Sequence, residues 1–90
     1  MKKVLKTSQF KKDFKRIQHD RQKVADLLSV VTKLANGEVL PKEMRPHVLS
    51  GEYKNYMECH IGSDYLLIWY DKIEDTIKLV RLGSHSELFK

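Results

Sequence analysis

The run Tyr65-Leu66-Leu67-Ile68-Trp69-Tyr70 is apolar without a break. Such a run reads as a central strand covered on both faces. Ninety residues make one domain, long enough for one modest core and too short for two. The rest of the chain must therefore supply cover for both sides of this strand. Residues 53–61 read as a half-buried, Tyr-rich strand before it, with Gly62-Ser63 as the turn. Residues 71–75 read as a polar hairpin loop, and residues 76–82 as the next strand, with Ile77, Leu79 and Val80 as its apolar members. Gly83-Ser84 breaks that strand, and residues 85–89 coil into a short turn or helix. Arg81, between Val80 and Leu82, has the position of a strand residue facing solvent.

The first half has a different period. Residues 4–7 form a short strand and Ser8 is placed to cap a helix. Phe10, Phe14 and Ile17 fall on one helical stripe, with Lys11, Lys12, Lys15 and Arg16 off it. Asp20 is placed to cap a second helix, in which Val24, Leu27, Leu28, Val31, Leu34 and Ala35 repeat at three and four. Asn36-Gly37 ends it. The short connection makes the helices an antiparallel hairpin, and Leu40-Pro41 to Arg45-Pro46 reads as an extended loop. The order β-α-α-β-β-β implies an α+β fold, with the helical hairpin packed on a mainly antiparallel sheet. Residues 1–90 form a single domain.

Apolar residues are 41% and charged residues 32% of the chain, which suits a soluble globular protein. No apolar run approaches the ~20 residues that span a bilayer, and no apolar segment follows the Lys-rich start as in a secretory signal. One cysteine, Cys59, forms no internal disulfide. These features make the cytoplasm the expected compartment. The net charge of +5 is uneven: residues 1–23 carry nine Lys/Arg against Asp13 and Asp20, a net of +7, leaving −2 for the remainder. An anionic partner, nucleic acid or acidic protein, is one reading; a solvated helix face is the other.

Chemistry concentrates in the last half. His47 lies in the loop entering the sheet, His60 and Asp64 flank the turn between two strands, and His85 follows the break after the last. Histidine exchanges protons near neutrality, so a cluster of these ends can do acid–base work; three unrelated surface histidines are the alternative. His19, among Lys, Arg and Gln, reads as a surface residue. A zinc site would find enough ligand types in Cys59, His60, Asp64, His47 and His85. Spacing opposes it, with no CxxC or HxxxH, and Cys59 and His60 point to opposite faces of a strand. The same alternation excludes a Cys-His nucleophilic pair, and Cys59 reads as a small buried residue. Near a histidine cluster, Arg81 can hold a phosphate, as can Lys54 and Lys42 less specifically. Tyr53, Tyr56 and Tyr65 suit either base stacking or packing. Trp69 reads as core, and Phe89 as a cap on the core or a stacking platform.

Several segments resemble one known family. They are Gly51-Glu52-Tyr53-Lys54, Glu58-Cys59-His60-Ile61 with Asp64, and Arg81-Leu82-Gly83-Ser84-His85-Ser86-Glu87-Leu88-Phe89. With the apolar strand between them, they are similar to the YafQ branch of the RelE/ParE superfamily of type II toxin–antitoxin toxins. The resemblance extends over nearly the whole chain. It implies a fold like that of small microbial ribonucleases. It also implies a ribosome-dependent mRNA endoribonuclease that uses no metal or other cofactor and cuts in the ribosomal A site by 2′-hydroxyl attack. A cognate acidic, DinJ-like antitoxin would silence it, operator DNA would be met only through that complex, and no membrane would be involved. His47, His60, Asp64 and His85 match the family's catalytic set. His85 is the expected principal proton-transfer residue, Asp64 and His60 its acid–base or orienting partners, and His47 a contact to phosphate or ribose. Tyr65 takes the place of an aromatic beside the Asp, and Phe89 matches the terminal aromatic. Arg81, Lys54, Tyr65 and Phe89 are the expected phosphate and RNA contacts.

One position departs. The family pattern has Arg where this chain has Met57, and Met57 cannot neutralise a phosphate. Arg81 or a lysine compensates, or the chain is a weakened or inactive toxin that serves as an antitoxin-binding protein. On the first view of Met57 as a missing phosphate ligand, Met57→Arg raises cleavage. A gyrase-inhibiting ParE-type toxin is the further alternative, opposed by the retained histidines.

Overall fold

A computed structural model of the chain describes residues 1–62 and 64–89. Ser63, expected in the turn after Gly62, lies outside the described residues. The elements run β1 (Lys3–Lys6), α1 (Ser8–Lys15), α2 (Arg21–Ala35), β2 (His47–Val48), β3 (Met57–Ile61), β4 (Tyr65–Tyr70), β5 (Thr76–Gly83) and α3 (His85–Leu88). They build a five-stranded sheet in the spatial order β1-β5-β4-β3-β2. Among the described residues, only the β1–β5 pair is parallel. This is the expected α+β architecture, with β2 as an added two-residue strand. The apolar run is central, as its composition requires: Leu66, Leu67, Ile68 and Trp69 are all buried.

Alternation along the strands divides the core in two. Cys59, Ile61, Leu67, Trp69, Ile77, Leu79 and Leu82 pack against Phe10, Ile17, Leu27, Val30 and Leu34 of the helical layer. Leu66 and Ile68 point the other way, into a smaller cluster with Leu88, Leu49, Tyr53, Tyr56, Val80 and Phe89. The second face is only partly covered, and the candidate site lies on it. Among the described residues, no helix is long and apolar enough to cross a membrane.

Local details depart from the sequence reading where tertiary contacts decide. Thr7, not Ser8, caps α1: its hydroxyl accepts from Phe10 N at 2.9 Å and donates to the Val80 carbonyl at 2.8 Å. Asp20 caps α2 as expected, accepting from Lys23 N. The strand expected over 53–61 begins only at Met57, because Gly51–Tyr53 coils into a 3-10 turn and Asn55 adopts a left-handed conformation. The loop over residues 40–46 contains a 3-10 turn, Lys42–Met44, followed by Arg45 at φ 48. A left-handed conformation costs a non-glycine residue roughly 1–2 kcal/mol.

Strand β5 outruns its parallel partner. Past Lys6, its open edge is met by the Thr7 hydroxyl and then by Asp13. Asp13 Oδ2 accepts from the Leu82 amide at 3.0 Å and from Arg81 Nε at 2.8 Å, while Oδ1 accepts from Gln9 Nε2 at 3.2 Å. The residue is 1% exposed. Burial pushes its pKa up, but the bonds from Arg81, Leu82 and Gln9, with the Arg81 charge, outweigh this and hold it below its ordinary value. Arg81, in turn, is pushed up chiefly by its bond to Asp13. Its side chain is only 19% exposed, so the solvent-facing reading of Arg81 is corrected: α1 brings a carboxylate to it.

Met57 pairs with Trp69 and packs against the helix-side cluster, while Glu58 and His60 face the other side. An arginine at position 57 would thus be aimed into the core rather than at a phosphate beside the histidines. The expectation that Met57→Arg raises cleavage is withdrawn on this ground.

Two outcomes follow. Asp13→Ala leaves the Arg81 guanidinium and the Leu82 amide without their acceptor. Urea unfolding is expected to lose about 3–5 kcal/mol, and a loss under ~1 kcal/mol would contradict the account. Because the folded pKa of Asp13 is depressed, its contribution is fully present above the unfolded value of about 3.9 and is lost as pH falls through the lower folded one. Asp13→Asn should flatten that acid limb. Met57→Arg is expected to lower stability by about 1–3 kcal/mol with no gain in cleavage rate; a faster enzyme would show that residue 57 reaches the substrate.

Candidate active site

Two rows of paired residues cross the less covered face. In one, His47 of β2 pairs with Glu58 of β3, and Glu58 with Ile68 of β4. In the next, His60 of β3 pairs with Leu66 of β4, and Leu66 with Gly83 of β5. Antiparallel pairing places such partners side by side on one face. Glu58 and His60, two residues apart on one strand, therefore point the same way.

His85 arrives at the end of the second row. The chain leaves β5 at Gly83, where a Cβ would come within 3.1 Å of Glu87 Oε1 and 3.3 Å of Leu88 Cδ2. Glycine thus lets α3 fold closely against the sheet. A capping box starts that helix: Ser84 Oγ accepts from Glu87 N at 3.3 Å, and Glu87 Oε1 accepts from Ser84 N at 2.8 Å. The Ser84 amide holds the Glu87 carboxyl below its ordinary value. His85 is the first residue of the helix and is exposed.

His60, Asp64 and His85 line one open cleft of about 90 Å³, with Glu58 and Leu66. His47 joins through Glu58, its Nε2 3.1 Å from Glu58 Oε1. All four residues singled out from the sequence are thus on or beside one wall. Phe89 packs against His85, the rings tilted by 40° with centroids 5.1 Å apart, and meets Tyr53 edge-on at 6.0 Å. Tyr56 and Tyr70 extend this aromatic floor.

Other candidates stand apart. Tyr65 lies on the helix side, lining a neighbouring cleft of about 350 Å³ with Asp20, Gln22, Lys23 and Asp26; only Asp64 borders both clefts. Lys23 Nζ sits 4.1 Å from the Tyr65 ring centre, a cation–π contact. Arg81 spends Nε and Nη2 on Asp13 and turns Nη1 toward Tyr53 Oη at 3.3 Å. Lys54 is exposed after the Gly51–Tyr53 turn.

Among the described residues, no three His, Cys, Asp or Glu side chains converge as metal ligands. Cys59 is fully buried toward the helices, and burial, with Glu58 nearby, pushes its thiol up to about 12, so it is neither a ligand nor a nucleophile.

Two acidic residues escaped the sequence reading. Glu58 was visible as an alternate-position neighbour of His60. Asp13 lies three residues after Phe10 and four before Ile17, a carboxylate on an otherwise apolar stripe; that anomaly was the available signal.

Comparison with known proteins places the chain in a family. Residues 2–90 match the family model described as the bacterial toxin of type II toxin–antitoxin systems, YafQ. The mRNA interferase toxin YafQ of Escherichia coli K12 is 31% identical over 84 residues, 92% of this chain and 90% of that protein. The metal-bound toxin from Helicobacter pylori superposes with a TM-score of 0.87 at 39% identity, covering 99% of this chain and 100% of that one. YafQ in the E. coli DinJ–YafQ complex superposes with a TM-score of 0.87 at 27% identity, each chain fully covered. The chain belongs to the YafQ family of type II toxin–antitoxin toxins.

Proposed function

We propose that this toxin is a ribosome-dependent, metal-independent mRNA endoribonuclease. The observation that carries the reading is the convergence of His60, Asp64 and His85 on one open cleft, in a chain whose E. coli relative is named an mRNA interferase. In this reading the ribose 2′-hydroxyl attacks the adjacent phosphate. One group takes the 2′-hydroxyl proton as the new P–O bond forms, and another gives a proton to the departing 5′-oxygen. His85, exposed at the mouth of the cleft, is the principal proton-transfer residue, with Asp64 and His60 as its acid–base or orienting partners. His47 contacts the phosphate or ribose.

Phe89, already against His85, is the aromatic best placed to stack on a base. Lys54 adds positive charge. Arg81 and Tyr65 contact RNA only by sharing or releasing their present partners, Asp13 and Lys23. Because Met57 faces the core, it gives no reason to regard the toxin as weakened.

Lys11, Lys12, Lys15 and Arg16 are exposed along α1, a basic surface suited to ribosomal RNA phosphates. The site of action is then the cytoplasm. An acidic antitoxin of the DinJ kind, the partner of the E. coli relative, silences the toxin, and the complex carries the contact to operator DNA.

Primer extension on programmed ribosomes tests this. Cuts at A-site codons are expected from the native chain, and His85→Ala should lower their rate by about 100-fold or more. Cleavage by both forms alike would remove His85 from the chemistry. Ribosome binding should weaken steeply with salt, as counterion release requires; a flat response would argue against phosphate contacts.

A further inference from the structure

The Glu58–His47 pair carries more than its place at the edge of the cleft. Glu58 is buried, its side chain 7% exposed, while the His47 side chain is 47% exposed. Glu58 Oε1 faces His47 Nε2, and Glu58 Oε2 has no hydrogen-bond partner among the described residues. His47 is thus the donor that the described residues offer to this carboxyl. An ionised carboxyl in such a place requires a compensating cation.

The other ring nitrogen narrows the choice. His47 Nδ1 lies 2.7 Å from the Arg45 carbonyl oxygen. A carbonyl oxygen only accepts, so Nδ1 bears a hydrogen. Nε2 facing an ionised carboxylate bears one as well. Against an ionised Glu58, a neutral ring would set a lone pair against an oxygen at one end or the other; a neutral ring fits only a protonated Glu58 whose hydroxyl donates to Nε2. The Arg45 carbonyl is held in place by a left-handed backbone, φ 48 and ψ 52, immediately before Pro46. Strained residues of this kind gather at functional sites.

We propose that Glu58 is a positioning residue: it holds His47 as an imidazolium whose Nδ1–H, resting on the Arg45 carbonyl, donates to a non-bridging oxygen of the scissile phosphate. This rests on the nuclease reading and assigns His47 within it. His47 is not the base that takes the 2′-hydroxyl proton, since both nitrogens already carry hydrogen. The base is drawn from His85, Asp64 and His60. The same arrangement supplies a cationic donor where position 57, turned to the core, does not.

The test uses the full-length toxin labelled with nitrogen-15 at its histidines. At pH 7 the wild-type His47 ring should show both nitrogens protonated. In Glu58→Gln, which keeps the size of the side chain, the amide can donate to Nε2, and the ring should become neutral with hydrogen on Nδ1 alone. A neutral His47 in the wild type would overturn the proposal, and that spectrum needs neither a variant nor any cleavage. In single-turnover cleavage on ribosomes, Glu58→Gln should lower the chemical rate about 100-fold with little change in ribosome affinity, and Glu58→Asp should restore part of it. An unchanged rate in Glu58→Gln would also overturn the positioning role. If wild-type toxin shows the charged ring but cuts no RNA, the nuclease reading fails while the pair stands.

Discussion

The structure hangs on how strand β5 is finished at its open edge. Sheet edges present unpaired amides and carbonyls, and β1 is four residues long against eight in β5. Asp13 closes the gap from the first helix, taking the Leu82 amide and the Arg81 guanidinium on one carboxylate. That fixes the register of α1 against the sheet. It also fixes the C-terminal end of β5, from which Gly83 and Ser84 launch α3 and so place His85. Arg81 carries the link through to the opposite face by its contact with Tyr53 Oη, and Tyr53 leans on Phe89, which leans on His85. A buried ion pair is weak ground for stability in itself, since desolvation offsets much of the attraction. Its value here is positional: one carboxylate serves a strand edge and a side chain that reaches the active face.

The division of labour between the sheet's faces follows from the period of a strand. On β3, Met57, Cys59 and Ile61 serve the core, while Glu58 and His60 serve the cleft. The same alternation disposes of several chemistries at once. It turns Cys59 away from His60, and it turns position 57 away from the candidate cleft. What remains is a shallow, open wall of histidines and carboxylates beside an aromatic floor. Such a site holds a strand of RNA poorly without help, which supports the proposal that the ribosome presents the message.

Much of this was legible in the residues. The unbroken apolar run of β4 announced a central strand, and the three-and-four spacing from Val24 to Ala35 announced α2. The Gly83-Ser84 break announced the end of β5. The four candidate residues were legible as chemistry, but only pairing across strands brings His60, Leu66 and Gly83 into one row. Other features were hidden because tertiary contacts decide them. Ser8 is the better cap by type, and Thr7 wins through its bond to the Val80 carbonyl. The coil at Gly51–Tyr53 interrupts what composition alone makes a strand. Arg81 lies where a lone charged strand residue ordinarily meets water, and only the arrival of Asp13 from 68 residues earlier turns it inward. Position 57 departs from a family motif in sequence, yet the parity of the strand decides which way its side chain points.

The most direct measurement replaces the single scissile ribose of a ribosome-bound message with its 2′-deoxy form and follows cleavage there. The account predicts that cutting at that position stops, while an all-ribose message is cut to leave a 2′,3′-cyclic phosphate and a 5′-hydroxyl. Continued cleavage at the deoxy position would contradict it, since the attacking oxygen would then come from elsewhere.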